Sequence, residues 1–259
     1  ASAGCRRLPF ALSPGVTAAL RALARREGAT LFMTLLAGFS LLLHRRTAQT
    51  DLLIGAPMAS RPRPETEGLI GLFLDTLVLR VDCANRPTFR ELLARVRATA
   101  FDAYAHQELP FEKLVEALRP NRGGPTAPIV TAFINLHNQP ASPLRLDRLS
   151  LTPMGLFGGG AKFDLNLGLD ESAAGISGSL TYDADLFEPE TMTALLAQLA
   201  SVLEHAPADP DRRLDEISLV PAPERATLVA RGRGPHAPAP RAPSVPALVE
   251  AQAMRTPEA

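Results

Sequence analysis

Residues 104–114 read YAHQELPFEKL, so His106, Gln107 and Glu108 set an imidazole, an amide and a carboxylate in a row just before Pro110. Imidazole and carboxylate carry protons near neutral pH, so the cluster raises general acid–base chemistry. Its spacing opposes that use, because consecutive helical residues point about 100° apart and do not converge on one proton. The other reading is a helix junction. Leu109-Pro110 turns the backbone away from helical dihedrals, and His106 and Gln107 satisfy backbone groups freed at the helix end. The other histidines, His44, His137, His205 and His236, are scattered without metal-ligand spacing, so no metal is expected. Cys5 and Cys83 stand far apart in no C-x-x-C pair. That argues against a disulfide framework or a cysteine zinc site and fits a reducing compartment, so the expected location is the cytoplasm.

The elements that must position these residues are helices and strands in alternation. Ser13-Pro14 reads as an N-cap and a first helical turn, followed by Val16, Leu20 and Leu23 as an apolar stripe that Gly28 stops. Thr30 caps a helix that is apolar on nearly every face, contains Thr34 and Ser40, and ends at His44-Arg45-Arg46. That run is too short to span a bilayer and reads as buried. Residues 51–57 and 75–82 read as strands, the second alternating Leu77, Leu79 and Val81 against Thr76, Val78 and Arg80. Thr88 to Glu91 forms a capping box for the next helix. Pro110 opens a short helix expected to bury Phe111, Leu114, Val115 and Leu118. Residues 129–137 read as a strand. Residues 162–170 alternate with Phe163, Leu165, Leu167 and Leu169 on one face, and 176–183 returns as a hairpin partner. Pro189 opens a last long helix. The interleaved order with one hairpin predicts an α/β fold with a mixed sheet covered by helices.

Lys and Arg number 27, as do Asp and Glu, so the formal net charge is zero. That gives no electrostatic ground for a nucleic-acid or acidic-membrane partner. Beyond Val220 prolines crowd together, and 221–243 reads as a linker before a helical pattern restarts at Ser244. The chain opens on ASAG with no leader pattern and closes on TPEA, and both ends read as cuts from something longer.

Several ordered segments resemble one family. YAHQELPFEKLVEAL (104–118) resembles the (H/N)-Q-D-x-P-F-E motif of condensation domains of nonribosomal peptide synthetases, and IGLFLDTLVLR (70–80) resembles their I-G-x-F-x-N-T-x-x-x-R motif. Residues 30–45, 51–61 and 161–187 are similar to that family in the same order, and 244–259 resembles the opening of an adenylation domain. The resemblance implies a chloramphenicol acetyltransferase-like two-layer sandwich of two lobes with a tunnel between them. Carrier proteins deliver phosphopantetheine thioesters at its two mouths, and no cofactor is bound directly. The family's His-His-x-x-x-Asp-Gly signature is not in this sequence, so the base histidine is expected upstream and no catalytic residue is assigned here. The implied organisation is a C-terminal lobe at 1–220, a linker at 221–243 and an adenylation start at 244–259. The implied partners are the N-terminal lobe, donor and acceptor carrier proteins and the adenylation domain.

Within that resemblance, Arg61 and Arg80 are candidates to pair with the signature aspartate, since a buried carboxylate needs a partner. Asp75 stands where the family often has Asn. It either faces the tunnel, where a carboxylate only accepts hydrogen bonds, or caps a helix end. Thr76, Asn135 and His137 are candidates to line the tunnel, with satisfied core polar residues as the other reading of the last two. His106, Gln107, Pro110, Phe111, Glu112, Phe163 and Asp164 carry the family motifs structurally. The family's R-D-x-S-R-N-P-L motif has drifted to RGGPTAPIV at 122–130. The function implied is part of an amide-forming transferase, inactive as this fragment alone. An epimerising relative, a non-catalytic recruitment domain and an unrelated acyltransferase are the competing readings.

Overall fold

The computed structural model describes residues 4–59, 64–66, 68–118, 129–137, 162–172, 175–233 and 244–257. The chain divides into two compact units, Ala1–Pro221 and Ala222–Ala259.

The first unit begins with β1 (Cys5–Ala11), α1 (Pro14–Arg26) and α2 (Leu31–Thr47). Ser13 Oγ accepts from Val16 N and starts α1, and Gly28 turns the chain out of it at φ 60°, a left-handed position where a side chain is strained. Thr30 caps α2, whose Met33–Leu43 run is buried throughout, so its lack of a polar face matches its central place in the core. Next come β2 (Asp51–Ala59), β3 (Leu74–Asp82), α3 (Phe89–Ala105) and α4 (Phe111–Leu118). Thr88 and Glu91 close a reciprocal capping box at α3. The unit ends with β4 (Ala132–His137), β5 (Leu165–Ser172), β6 (Gly175–Asp183) and α5 (Pro189–Ala208).

The six strands form one mixed sheet in the order β1-β6-β5-β4-β2-β3. β2, β4 and β5 run parallel to their neighbours among themselves, and β3, β6 and β1 are antiparallel to theirs. Alternation then divides the side chains between two faces. Leu79 and Val81, Ala132 and Ile134, Leu165, Leu167 and Leu169, and Leu180 and Tyr182 point one way and are buried in one core with α1, α2, α3 and α5, and Leu77 is buried on the same face. The opposite face carries Thr76 and Arg80, Phe133, Asn135 and His137, Asn166, Gly168 and Asp170, and Ser177, Ser179 and Thr181.

Four features depart from the sequence expectations. β1 had no expected counterpart; as an edge strand it offers only Leu8 and Phe10 to the core, too short a pattern to stand out. α4 buries none of its residues, and Leu118 is exposed; among the described elements the helix packs mainly on β3. Phe163 leaves the Leu165–Leu169 face: residues 162–164 bend before β5 begins, so strand alternation does not extend to it. Within the span read as linker, Ala222–Gly232 is a helix, α6.

In the second unit, α6 is joined by α7 (Val245–Arg255), which Ser244 caps through the Ala247 amide. Leu228, Val229, Val245, Val249 and Met254 of these helices are exposed.

Candidate functional site

The two motif-bearing segments meet at the start of β3. Asp75 Oδ1 accepts from the backbone N–H of Thr76 at 2.6 Å and of Phe111, the first residue of α4, at 3.4 Å. A carboxylate there faces the positive end of the helix dipole, so Asp75 acts as a cap supplied from a distant strand. Just upstream, the chain leading into β3 exposes Leu69, Ile70 and Leu72, and the strand's first residue, Leu74, is exposed as well. Four large apolar side chains in water over so short a stretch mark a contact surface.

His106, Gln107 and Glu108 do not converge. His106 is the C-cap of α3, and its Nδ1 lies 2.9 Å from the Asp102 carbonyl, to which it donates. The Gln107 amide N–H reaches the Tyr104 carbonyl at 3.4 Å, and the carbonyls of His106 and Pro110 accept from Leu109 and Lys113. Glu108 and Glu112 are exposed. The segment is a joint between α3 and α4, with its imidazole engaged at a helix end. His44 and His205 are engaged alike, on the carbonyls of Gln49 and Ser201 at 2.7 Å each.

Arg80 forms a bidentate pair with Asp51 across β2 and β3, at 2.9 and 2.8 Å. The Arg80 hydrogen bond holds the Asp51 carboxyl below its usual value. Both side chains are exposed, so the pair adds little to stability. Arg80 is four residues along β3 from Thr76, about 13 Å at strand rise, toward the opposite end of the sheet. Arg61 and residues 119–128, which hold most of the drifted loop, lie outside the described residues.

Asn135 and His137 are joined on the sheet face away from the helices. His137 Nδ1 is 3.2 Å from Asp170 Oδ1, and its Nε2 is 2.8 Å from Asn135 Nδ2. Asp170 is the residue that the sequence reading missed. It pairs with His137 in the β4–β5 register, a long-range relation signalled in the sequence only by the polar positions of two alternating strands. One pair lower, Phe133 stacks on Phe163 with ring centroids 4.4 Å apart and planes 12° from parallel. Phe133 lies against Gly55, where a Cβ would come within 2.6 Å of the ring. Asp164, next to Phe163, has its carboxyl pushed up by burial, with repulsion from Asp183 adding to it. Among the described residues, no three His, Cys, Asp or Glu side chains are grouped to hold a metal ion.

The condensation-domain family model matches residues 3–229. The chain is 42% identical over 271 residues to phosphinothricin tripeptide synthetase PhsB of Streptomyces viridochromogenes, covering 98% of this chain and 22% of that one. It is 37% identical over 250 residues to chondramide synthase cmdD of Chondromyces crocatus, covering 96% of this chain and 6% of that one. Among solved structures it is similar to the X-domain in its complex with OxyB from teicoplanin biosynthesis, with a TM-score of 0.74 and 30% identity over 84% of this chain and 48% of that one. The chain therefore spans a small part of the synthetases it matches and about half of the solved domain. With a family model covering most of its length, the chain belongs to the condensation-domain family.

Proposed function

We propose that this chain is the C-terminal lobe of a nonribosomal peptide synthetase condensation domain, with residues 1–220 as the lobe, 221–243 as a linker and 244–259 as the start of an adenylation domain. The observation that carries this reading is the match of a family model to residues 3–229 of a chain that covers only 48% of a solved relative. The absence of a His-His-x-x-x-Asp-Gly sequence fits the same division. The exposed Leu69–Leu74 strip supplies an apolar surface for the N-terminal lobe to cover.

In the reaction proposed, an acceptor amine attacks the carbonyl carbon of a donor thioester. The C–N bond forms, the C–S bond breaks, the amine gives up a proton to the upstream histidine and the donor carrier's thiol leaves. Both substrates arrive on phosphopantetheine arms of carrier proteins. This lobe contributes one wall of the tunnel, with Thr76, Asn135 and His137 on the face away from the helices, and no proton-transfer residue. Asp75 and α4 hold the mouth of that wall in shape. The work takes place in the cytoplasm, without nucleic acid or membrane.

The test compares this chain with a version extended upstream by one lobe, measuring transfer between two loaded carrier proteins. Amide formed only by the extended protein supports the reading. Amide formed by this chain alone overturns the upstream base. Transfer by neither favours a second reading, a recruitment domain without chemistry, for which the likeness to an X-domain solved in complex with OxyB is the specific ground.

A further inference from the structure

The sheet face away from the helices has a notch at Gly168. In the strand register Gly168 lies beside Asn135 of β4 and Ser179 of β6, so a residue without a side chain is flanked by polar ones on both sides. Among the described residues, a Cβ at Gly168 would meet nothing nearer than the Ser179 carbonyl at 3.9 Å. Ser179 Oγ is fixed, accepting from Arg7 Nε at 2.5 Å. One pair down, beside Phe133, Asn166 has its Oδ1 buried with no hydrogen-bond partner among the described residues. A buried acceptor left unpaired costs free energy until something donates to it.

Asn135 is held in one orientation. An imidazole nitrogen 2.8 Å from an amide nitrogen must accept, so Asn135 Nδ2 donates to His137 Nε2. His137 then carries its proton on Nδ1 and donates it to Asp170. Among the described residues, the Asp170–His137–Asn135 line leaves Asn135 one N–H and its Oδ1 with no other partner, a donor and an acceptor side by side. That pair is complementary to a secondary amide, and the stacked Phe133 and Phe163 provide an apolar floor next to it.

We propose that the Gly168 notch, with Asn135 oriented by His137 and Asp170, binds a secondary amide group of the thioester substrate. The proposal rests on the condensation-lobe reading for the source of the amide. Two sources share the chemistry: the amides of the carrier arm and an amide of the donor acyl chain. His137 and Asp170 are positioning residues that fix the Asn135 amide.

The experiment is an NMR titration of this chain, following the side-chain NH2 resonances of Asn135 and Asn166. The probes are pantetheine for the arm and N-acetylalanine methyl ester for the acyl chain, with methyl propionate as a control without an amide. Saturable shifts in the millimolar range with either amide probe, and none with the control, are expected. Asn135→Ala should weaken binding at least about tenfold, since an unpaired group in a hydrogen-bonding site discriminates strongly, and Gly168→Ala, which the fold accommodates, should weaken it comparably by filling the notch. Response to pantetheine assigns the arm; response to the acetylalanine ester assigns the growing chain. If neither probe moves the resonances, or if Gly168→Ala binds as the parent does, the proposal falls. If the resonances respond while the two-lobe protein forms no amide bond, the notch stands and the catalytic reading falls.

Discussion

Gly178 and Gly168 lie on neighbouring strands, one residue pair apart, and the same substitution should affect them in opposite directions. A Cβ at Gly178 would sit 2.0 Å from the Gly168 carbonyl oxygen and 2.8 Å from Leu169 Cα. Both are backbone atoms, so no side chain can turn aside. Restoring a tolerable contact near 3.0 Å needs the β5 and β6 backbones to part by roughly 1 Å at the middle of their ladder. Overpacking of this kind costs about 1–3 kcal/mol, offset by about 0.4–1 kcal/mol from the stiffer unfolded chain. Gly178→Ala should therefore lose on the order of 1 kcal/mol, and the thermal midpoint should fall by roughly 2–4 °C for a unit of this size. Gly168→Ala meets only the 3.9 Å contact and should gain about 0.4–1 kcal/mol. The chain has no tryptophan, so unfolding is followed by far-UV circular dichroism in heat and in urea. A Gly178→Ala midpoint within about 1 °C of the parent would refute the close approach of β5 to β6, and a Gly168→Ala midpoint below the parent would refute the room at Gly168.

Three further outcomes follow from single sites. Asp75→Ala should cost about 1 kcal/mol locally and speed hydrogen exchange of the Phe111 amide, whereas Asp75→Asn, which also caps, should leave exchange near the parent rate; equal exchange in both would remove the capping role. Burial raises the Cys83 thiol to about 11, with Asp82 adding to the shift, while Cys5 is exposed. Iodoacetamide at neutral pH should thus modify one thiol quickly and the second only on unfolding, as mass spectrometry would show. The Asp164 carboxyl is raised in the folded state, so its favourable contribution is complete below the unfolded value of 3.8 and is lost as pH rises through the folded value. Asp164→Asn should flatten that slope and stabilise the protein at neutral pH but not in acid; denaturation at both pH values decides it.

Local features were the most legible in the sequence. Ser13-Pro14, Thr30 and the Thr88–Glu91 box cap the helices they announce, because a cap acts within one turn of its own backbone. Leu77, Leu79 and Val81 alternate into the core as their spacing requires. What escaped was set by pairs far apart in the chain. A cap was one of the two readings of Asp75, but which helix it would cap was not legible, because Phe111 arrives from beyond the far end of α3; Asp170 reached His137 through strand register. No local pattern encodes either meeting. α6 escaped for another reason: the prolines around 222–232 dominate the composition, although Arg225, Ala226, Leu228, Ala230 and Arg231 are all good helix formers.

The same alternation that builds the sheet also constrains where chemistry can sit. The face under α1, α2, α3 and α5 is filled with Leu, Ile and Val, and an imidazole or carboxylate placed there would bear the full cost of desolvation. Apart from the Tyr182 hydroxyl, which is buried in that core without a partner among the described residues, the polar side chains of the sheet named above lie on the other face. Along that face, Thr76 of β3 lies opposite Pro57 of β2, and Asn135, Gly168 and Ser179 continue the line across β4, β5 and β6. β2 and β4 are in parallel register at Gly55 and Phe133, two residues before Pro57 and Asn135, so these belong to one row. Arg80 and its partner Asp51 stand near the other end of the sheet, with their charges already matched. A ligand on this face that used Thr76, Asn135 and the Gly168 notch together would lie across the strands, within a single row, and would leave Arg80 untouched. Arg80→Ala should then alter neither amide-probe binding nor transfer, whereas an effect on either would move the site along the sheet toward Asp51.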